Sequence, residues 1–220
     1  MASEPDPDAD VPYGEDLQSP EGAKAWADAA DHKRPHRLPI RQAIVERIKA
    51  LPDGARVLEL GSGPGLLAEQ VLSQCAGLGT YTLFDFSEPM IAMSRQRTAR
   101  FAAAQFVVGN FRTRSWAVGV PGSWDAVVST QAVHEVRHKR HVPALYRDIF
   151  EILGPSGLFL VGDRTPEDDS PRSRALFMTA DEQLSALRGA GFIDVRLVTS
   201  GDALALCEAR TLPAGSLTRD

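Results

Sequence analysis

Val57-Leu58-Glu59-Leu60-Gly61-Ser62-Gly63-Pro64-Gly65 decides how the rest of the chain is read. It begins as a short apolar run carrying one acid, Glu59, and passes without a break into three glycines spaced two apart. A helix-compatible stretch, Gly65 to Gln74, follows. Glycine permits positive φ and has no Cβ, so a ligand can lie against bare backbone where a strand ends and a helix N-terminus begins. A tight turn without a ligand would carry the same glycines, so the motif needs support from elsewhere in the chain.

That support comes from Leu83-Phe84-Asp85-Phe86-Ser87, where Asp85 ends a second strand about twenty residues beyond the glycines, the place of an acid that accepts both ribose hydroxyls. Outward from these two motifs the chain alternates. Arg56 to Leu60, Thr80 to Phe84, Phe106 to Val108, Trp124 to Ser129 and Leu158 to Gly162 read as strands; Pro89 to Arg100 and Val142 to Leu153 read as helices between them. Such alternation predicts a parallel sheet covered on both faces. A last helix opens at the capping-box pattern Thr179-Ala180-Asp181-Glu182 and stops at Gly189-Ala190-Gly191. The runs Phe192 to Val198 and Ala203 to Ala209, joined by Thr199-Ser200-Gly201-Asp202, predict an antiparallel last pair. The expected fold class is α/β, a doubly wound seven-stranded sheet, mostly parallel with an antiparallel last strand, plus N-terminal helices.

The chain divides into three parts by composition. Residues 1–19 are rich in Asp, Glu and Pro and poor in large apolar side chains, which predicts a disordered acidic tail. Residues 20–54 hold two helix-compatible stretches, Glu21 to Asp31 and Pro39 to Leu51, ended by Pro52-Asp53-Gly54. Residues 55–220 carry the strand–helix alternation and are expected to form one Rossmann-like domain.

Together, Glu59-x-Gly61-x-Gly63-x-Gly65 and Asp85-x-Ser87-x-x-Met90 resemble the first two motifs of class I S-adenosylmethionine-dependent methyltransferases. Leu153-Gly154-Pro155-Ser156-Gly157 is similar to that family's turn before the fifth strand, so the resemblance spans roughly Arg56 to Arg210. A nicotinamide oxidoreductase would favour a spacing that puts its third glycine at Leu66. A non-catalytic cofactor-binding protein of the same fold stays open, because fold and pocket do not ensure turnover. The resemblance implies S-adenosylmethionine as cofactor, with Glu59 organising its methionine end and Gly61, Ser62, Gly63 and Gly65 lining it. It further implies Asp85 on the ribose, Phe86 and Met90 beside the adenine, Gly109-Asn110-Phe111 at the adenine edge, and Thr130 after the fourth strand. Many relatives carry Asp where this chain has Asn110; the amide oxygen still accepts, without charge, or it merely caps the turn.

The acceptor is expected beyond the fourth strand, at Ser129-Thr130-Gln131-Ala132-Val133-His134-Glu135. No Asn-Pro-Pro-Tyr run and no Pro-Cys nucleophile stands there, which points away from a nucleic-acid base and toward a small-molecule acceptor. His134 is the candidate catalytic residue, as a general base or as a group that shapes the pocket. His134-Glu135-Val136-Arg137-His138 matches the H-E-x-x-H zinc signature. The extended version of that signature needs Gly and His where this chain has His141 and Ala144, so no metal is expected. His138 to His141 reads as a solvated helix start. Only Asp163 to Met178 connects the fifth strand to the next helix, so the N-terminal segment or a second subunit, in a homodimer, is expected to wall the pocket. Glu21 to Leu38, with Trp26, His32, Lys33, Arg34, His36 and Arg37, is the candidate lid, against the alternative of an ordinary surface helix.

The totals bound the rest. With 220 residues, 43% hydrophobic and 24% charged, the chain is long enough to bury one core. A net charge of −5 argues against a broad nucleic-acid footprint. Two cysteines, Cys75 and Cys207, and an N-terminus without a signal-peptide layout lead us to expect a cytoplasmic protein. No apolar run approaches the roughly 20 residues that cross a bilayer, and none is expected to enter one.

Overall fold

The computed structural model describes residues 9–30 and 37–213. Two helices come first, α1 (Pro20–Ala30) and α2 (Arg37–Ile48), and then strands and helices alternate: β1 (Arg56–Leu60), α3 (Leu66–Gln74), β2 (Thr80–Asp85), α4 (Glu88–Thr98), β3 (Ala104–Val108), β4 (Trp124–Thr130), α5 (Val142–Ile152) and β5 (Leu153–Arg164). The chain closes with α6 (Pro171–Leu176), α7 (Ala180–Gly189), β6 (Ile193–Gly201) and β7 (Leu204–Arg210). One seven-stranded sheet takes the order β3-β2-β1-β4-β5-β7-β6, in which β7 alone runs antiparallel to its neighbours. This is the expected α/β fold.

The central strands are apolar on both faces because helices cover both. On one side Tyr146 and Ile149 of α5 and Leu187 of α7 pack on Phe159 and Val127. On the other, Ile44 and Val45 of α2 and Val71 of α3 pack on Val57, Ala126 and Leu160. Register decides what this scaffold presents. Leu60 lies opposite both Phe84 and Ser129, and Thr130 lies opposite Gly162, so Gly61, Asp85, Thr130 and Asp163 leave the sheet along one edge. That edge is where the strand order reverses, between β1 and β4, and where such sheets hold ligands.

Several local expectations shift. Leu153 pairs with Trp124 and Leu158 with Ala126, so Gly154-Pro155-Ser156-Gly157 bulges within a long β5, with Ser156 at φ 58, instead of preceding the strand as a turn. β6 extends to Gly201, leaving Asp202 and Ala203, both at positive φ, as a two-residue hairpin turn. The capping box forms as read, with Thr179 and Glu182 each accepting the other's amide. The Asp163 to Met178 connection folds into α6, a helix too short to show a periodic pattern.

The N-terminal end departs most. Residues 1–8 lie outside the described residues, but from Asp10 to Leu17 the chain crosses the sheet edge as an attached strap, not a loose tail. Besides the Tyr13 ring, which stacks on Phe86, its attachments are polar: the Val11 amide donates to Arg137 O at 2.9 Å, and Arg137 donates back to the carbonyls of Val11 and Pro12. Composition registers the shortage of apolar side chains and misses anchoring through backbone carbonyls. Of the candidate lid, α1 is described, while residues 31–36, with His32, Lys33, Arg34 and His36, lie outside the described residues. Among the described residues no helix is long and apolar enough to cross a membrane.

Candidate functional site

β1 ends where the backbone turns through three left-handed glycines, Gly61 (φ 69), Gly63 (φ 53) and Gly65 (φ 81). They are glycine for different reasons. A Cβ on Gly61 would stand 2.2 Å from Ala132 Cβ, and one on Gly65 would stand 3.0 Å from Ser94 Cβ, so these two are demanded by packing against the β4 loop and α4. A Cβ on Gly63 would meet only Trp26 Cζ3, at 3.9 Å, and would otherwise point into open space. Gly63 is the glycine that leaves room for something else.

Asp85, 6% exposed at the end of β2, closes this turn from the neighbouring strand. Its Oδ2 accepts the Gly63 amide at 2.8 Å and its Oδ1 accepts the Ser87 amide at 2.9 Å. Burial pushes its pKa up and the backbone amides pull it back, with a net rise. A carboxylate offers about four lone-pair sites, so acceptor capacity remains after these two bonds. Beneath the turn, Glu59 is 1% exposed and accepts the Tyr81 hydroxyl at 2.9 Å. Burial, with the nearby Asp85 charge, outweighs Tyr81 and Arg41 and raises its pKa to about 8.

These groups open onto a cavity of about 480 Å³. Gly61, Gly63, Asp85, Phe86 and Met90 line it from the ends of β1 and β2 and the start of α4; Thr130, His134, Arg164 and Phe177 line it from the ends of β4 and β5 and beyond; Tyr13, Leu17 and Trp26 come from the N-terminal segment. A smaller pocket of about 60 Å³ adjoins it, lined by Glu59, Ser62, Arg41 and Gly63. The buried Ser62 hydroxyl there has no hydrogen-bond partner among the described residues. Of the residues named from sequence, Gly65 and Gly109 line neither cavity; a Cβ on Gly109 would lie 2.6 Å from the Phe84 ring. Asn110 turns its side-chain oxygen onto the Arg112 amide at 2.9 Å, capping its own turn.

Across the cavity, His134 sits in a 3₁₀ turn, Val133–Val136, that ends at Arg137 with φ 69. The H-E-x-x-H spacing is therefore not helical, and His138, buried rather than solvated, accepts the Arg140 amide. His134 Nδ1 lies 2.6 Å from Asp163 Oδ1, and the His134 amide donates to Asp163 Oδ2 at 2.8 Å. Nε2 lies 3.4 Å from Glu135 Oε1. Burial alone would lower the imidazole pKa; the Asp163 and Glu135 carboxylates outweigh it and lift it to about 9.

Asp163, Glu135 and Arg137 went unassigned in the sequence. Asp163 had a signal, an acid ending β5 as Asp85 ends β2. Arg137, 4% exposed, had none, since its partners are main-chain carbonyls 126 and 125 residues away. Arg164, the last residue of β5, joins the lining, and the short connection after it, expected to leave the pocket to be walled by other segments, supplies Glu167, Ser173 and Phe177.

Residues 57–157 match the family described as "Methyltransferase domain". A ubiquinone biosynthesis O-methyltransferase of Xanthomonas campestris pv. campestris is 33% identical over 155 residues, covering 66% of this chain and 59% of that protein. The citrinin polyketide synthase of Monascus purpureus is 28% identical over 158 residues, 68% of this chain but 6% of that synthase. The chain thus spans less than two thirds of these relatives' lengths. Among solved structures, the CMeT domain of the citrinin polyketide synthase superposes with a TM-score of 0.71 at 22% identity, over 89% of this chain and 58% of that one. PigF with SAH gives 0.68 at 18% identity, over 89% and 60%.

Proposed function

We propose that this chain, whose residues 57–157 match a methyltransferase domain, is a class I S-adenosylmethionine-dependent methyltransferase that methylates a small-molecule acceptor. The observation that carries the reading is the Gly63–Asp85 closure. One left-handed glycine faces open space, its amide is held by a buried strand-end carboxylate, and both line a cavity that contains His134. The residues fit the cofactor. Asp85 keeps acceptor capacity for ribose hydroxyls, Phe86 and Met90 offer apolar surface, and the unpartnered Ser62 hydroxyl beside Arg41 suits the polar methionine end.

When bound, the cofactor supplies an electrophilic methyl on a sulfonium that leaves as a neutral thioether. The chain's own task is therefore alignment and exclusion of water. Trp26 of α1 above Gly63, with Tyr13 and Leu17, covers the cavity, which supports a lid role for the N-terminal segment. His134, fixed by Asp163, is positioned to hold the acceptor's reacting group or to take its proton.

Calorimetry with S-adenosylmethionine, S-adenosylhomocysteine and NAD tests the cofactor; binding of the first two and not the third is expected, and the reverse would overturn the reading. Transfer to a panel of small phenols, acids and amines tests turnover. A base at His134 makes the rate climb toward pH 9, whereas a positioning imidazolium makes it fall above that pH.

A further inference from the structure

Arg137 is a buried cation in a strained backbone position, and each of its side-chain nitrogens is committed. Nε donates to Val11 O at 2.9 Å, Nη2 donates to Pro12 O, and Nη1 pairs with Glu135 Oε2 at 2.9 Å. The guanidinium also lies over the Tyr13 ring, 4.7 Å from its centroid. Tyr13 in turn stacks on Phe86, a wall of the cofactor half, at 6.3 Å between centroids. The other oxygen of Glu135 is the one facing His134 Nε2. A single guanidinium therefore joins the strap that roofs the cavity to the carboxylate that holds the imidazole.

We propose that Arg137 is a positioning residue that makes closure of the Asp10–Leu17 strap and orientation of His134 by Glu135 one event. A left-handed φ on arginine is strained and persists only where the surroundings over-determine it. Here that conformation lets the Arg137 carbonyl accept the Val11 amide while its side chain grips the next carbonyls. With the strap closed, Arg137 draws one Glu135 oxygen and leaves the other against His134. With the strap open, Arg137 loses two acceptors and a ring face, and Glu135 loses its fixed partner. The two ends of the strap have their own anchors, Asp10 pairing with Arg112, Arg140 and His141, and Leu17 O accepting the Ser87 hydroxyl; in the middle, Arg112 also donates to the Tyr13 hydroxyl at 2.8 Å, while the link to Glu135 runs through Arg137.

The charged and titratable groups around His134 are Asp163 from β5, Glu135 on its own turn, Arg137 behind Glu135, and Arg164, stacked on the Phe177 ring that meets His134. Tyr146 of α5 lies behind Asp163 and interacts with its charge.

The inference rests on the methyltransferase reading only for its catalytic meaning; its test needs no turnover. Hydrogen exchange of amides 10–17 and the ¹³C titration of His134 are followed in the full chain, with His134→Gln used for assignment. Arg137→Lys keeps the charge and loses the planar fork. It should speed exchange of the strap about tenfold or more. Glu135→Gln changes a side chain whose polar partners are His134 and Arg137, and should also speed that exchange, because coupling is reciprocal. Val11→Pro removes the strap amide that Arg137 O accepts, and also fixes φ at position 11 and restricts Asp10. It should lower the His134 midpoint by about half a unit or more, since Glu135 is no longer held on Nε2.

Unchanged strap exchange in Glu135→Gln, or an unmoved His134 midpoint in Val11→Pro, overturns the coupling. If Arg137→Lys fails to fold, those two variants still decide it. S-adenosylhomocysteine slowing strap exchange in the unaltered chain and not in Glu135→Gln would support it. Failure of S-adenosylhomocysteine to bind would count against the cofactor reading and leave the coupling result standing.

Discussion

The two walls of the cavity are built by different means. On the glycine side, Gly63 and Asp85 are 22 residues apart and meet because β1 and β2 are adjacent parallel strands in fixed register. On the histidine side, the partners are Asp163, 29 residues from His134, and a strap 126 residues from Arg137, joined by charges and carbonyls across loops. The sheet holds the first wall together, and a polar network holds the second. The first should therefore yield only to changes that strain its backbone or remove its carboxylate. The second should respond to pH and to the state of the strap.

The largest expected effect breaks the glycine wall. Gly61→Ala puts a Cβ 2.2 Å from Ala132 Cβ on a left-handed residue, so the β4 loop must move, with a loss of about 3 kcal/mol or more in urea unfolding. Gly63→Ala has the same handedness and almost no collision, so about 1–2 kcal/mol of strain is expected with the fold kept. Equal losses in the two variants would show that packing does not distinguish these glycines.

Asp85→Ala comes next. It should weaken S-adenosylmethionine by about 1.5–3 kcal/mol, roughly ten- to over a hundred-fold in Kd, on the scale of hydrogen bonds to a charged group. It also frees the Gly63 and Ser87 amides from their carboxylate. Calorimetry showing unchanged affinity in a folded variant would remove Asp85 from the cofactor wall.

What could be read in the sequence follows the same division. The strand–glycine–helix junction, the acid ending β2 and the capping box at Thr179 are local patterns whose spacing is set by strand and helix geometry, and all three form. The position of His134 beyond β4 was also readable. Its orienting partner Asp163 needed the register of β4 against β5, and the Arg137 grip on Val11 and Pro12 needed the path of a segment with few apolar residues. Spacing carries no information about a guanidinium whose partners are main-chain carbonyls, because any sequence supplies those.

The histidine wall should announce itself in the pH dependence of stability. His134 binds its proton up to about pH 9 in the fold against 6.5 unfolded. Its contribution is complete below 6.5 and is lost as pH rises through 9. Glu59, held at about 8 against 4.5, has the same sign, since the folded state keeps a proton that the unfolded chain has released. Stability should therefore fall between pH 6.5 and 9, by on the order of 2–3 kcal/mol for the histidine part. Urea midpoints at pH 6.5 and 9 in the parent chain and in His134→Gln measure it. A decline just as steep in the variant would assign the whole effect to Glu59 and other groups.

The smallest effect concerns Asn110, which stands on the glycine side but was read from sequence in two ways. Its side-chain oxygen accepts the Arg112 amide, and its carbonyl accepts both the Thr113 amide at 3.0 Å and the Thr113 hydroxyl at 2.8 Å. An oxygen spent on its own turn is a poor partner for an adenine amino group. Capping predicts that Asn110→Asp, which keeps the acceptor, leaves stability within about 0.5 kcal/mol, while Asn110→Ala loses about 0.5–1 kcal/mol. Neither should change the Kd of S-adenosylhomocysteine by more than about twofold, since 0.4 kcal/mol is already that much. An adenine contact predicts the opposite pattern: the carboxylate would tighten the ligand several-fold through a charge-assisted bond, and alanine would loosen it with little effect on unfolding. Urea unfolding and calorimetry on the same two variants separate the readings. Tighter binding by Asn110→Asp would move Asn110 out of the loop's own scaffolding and onto the cofactor wall.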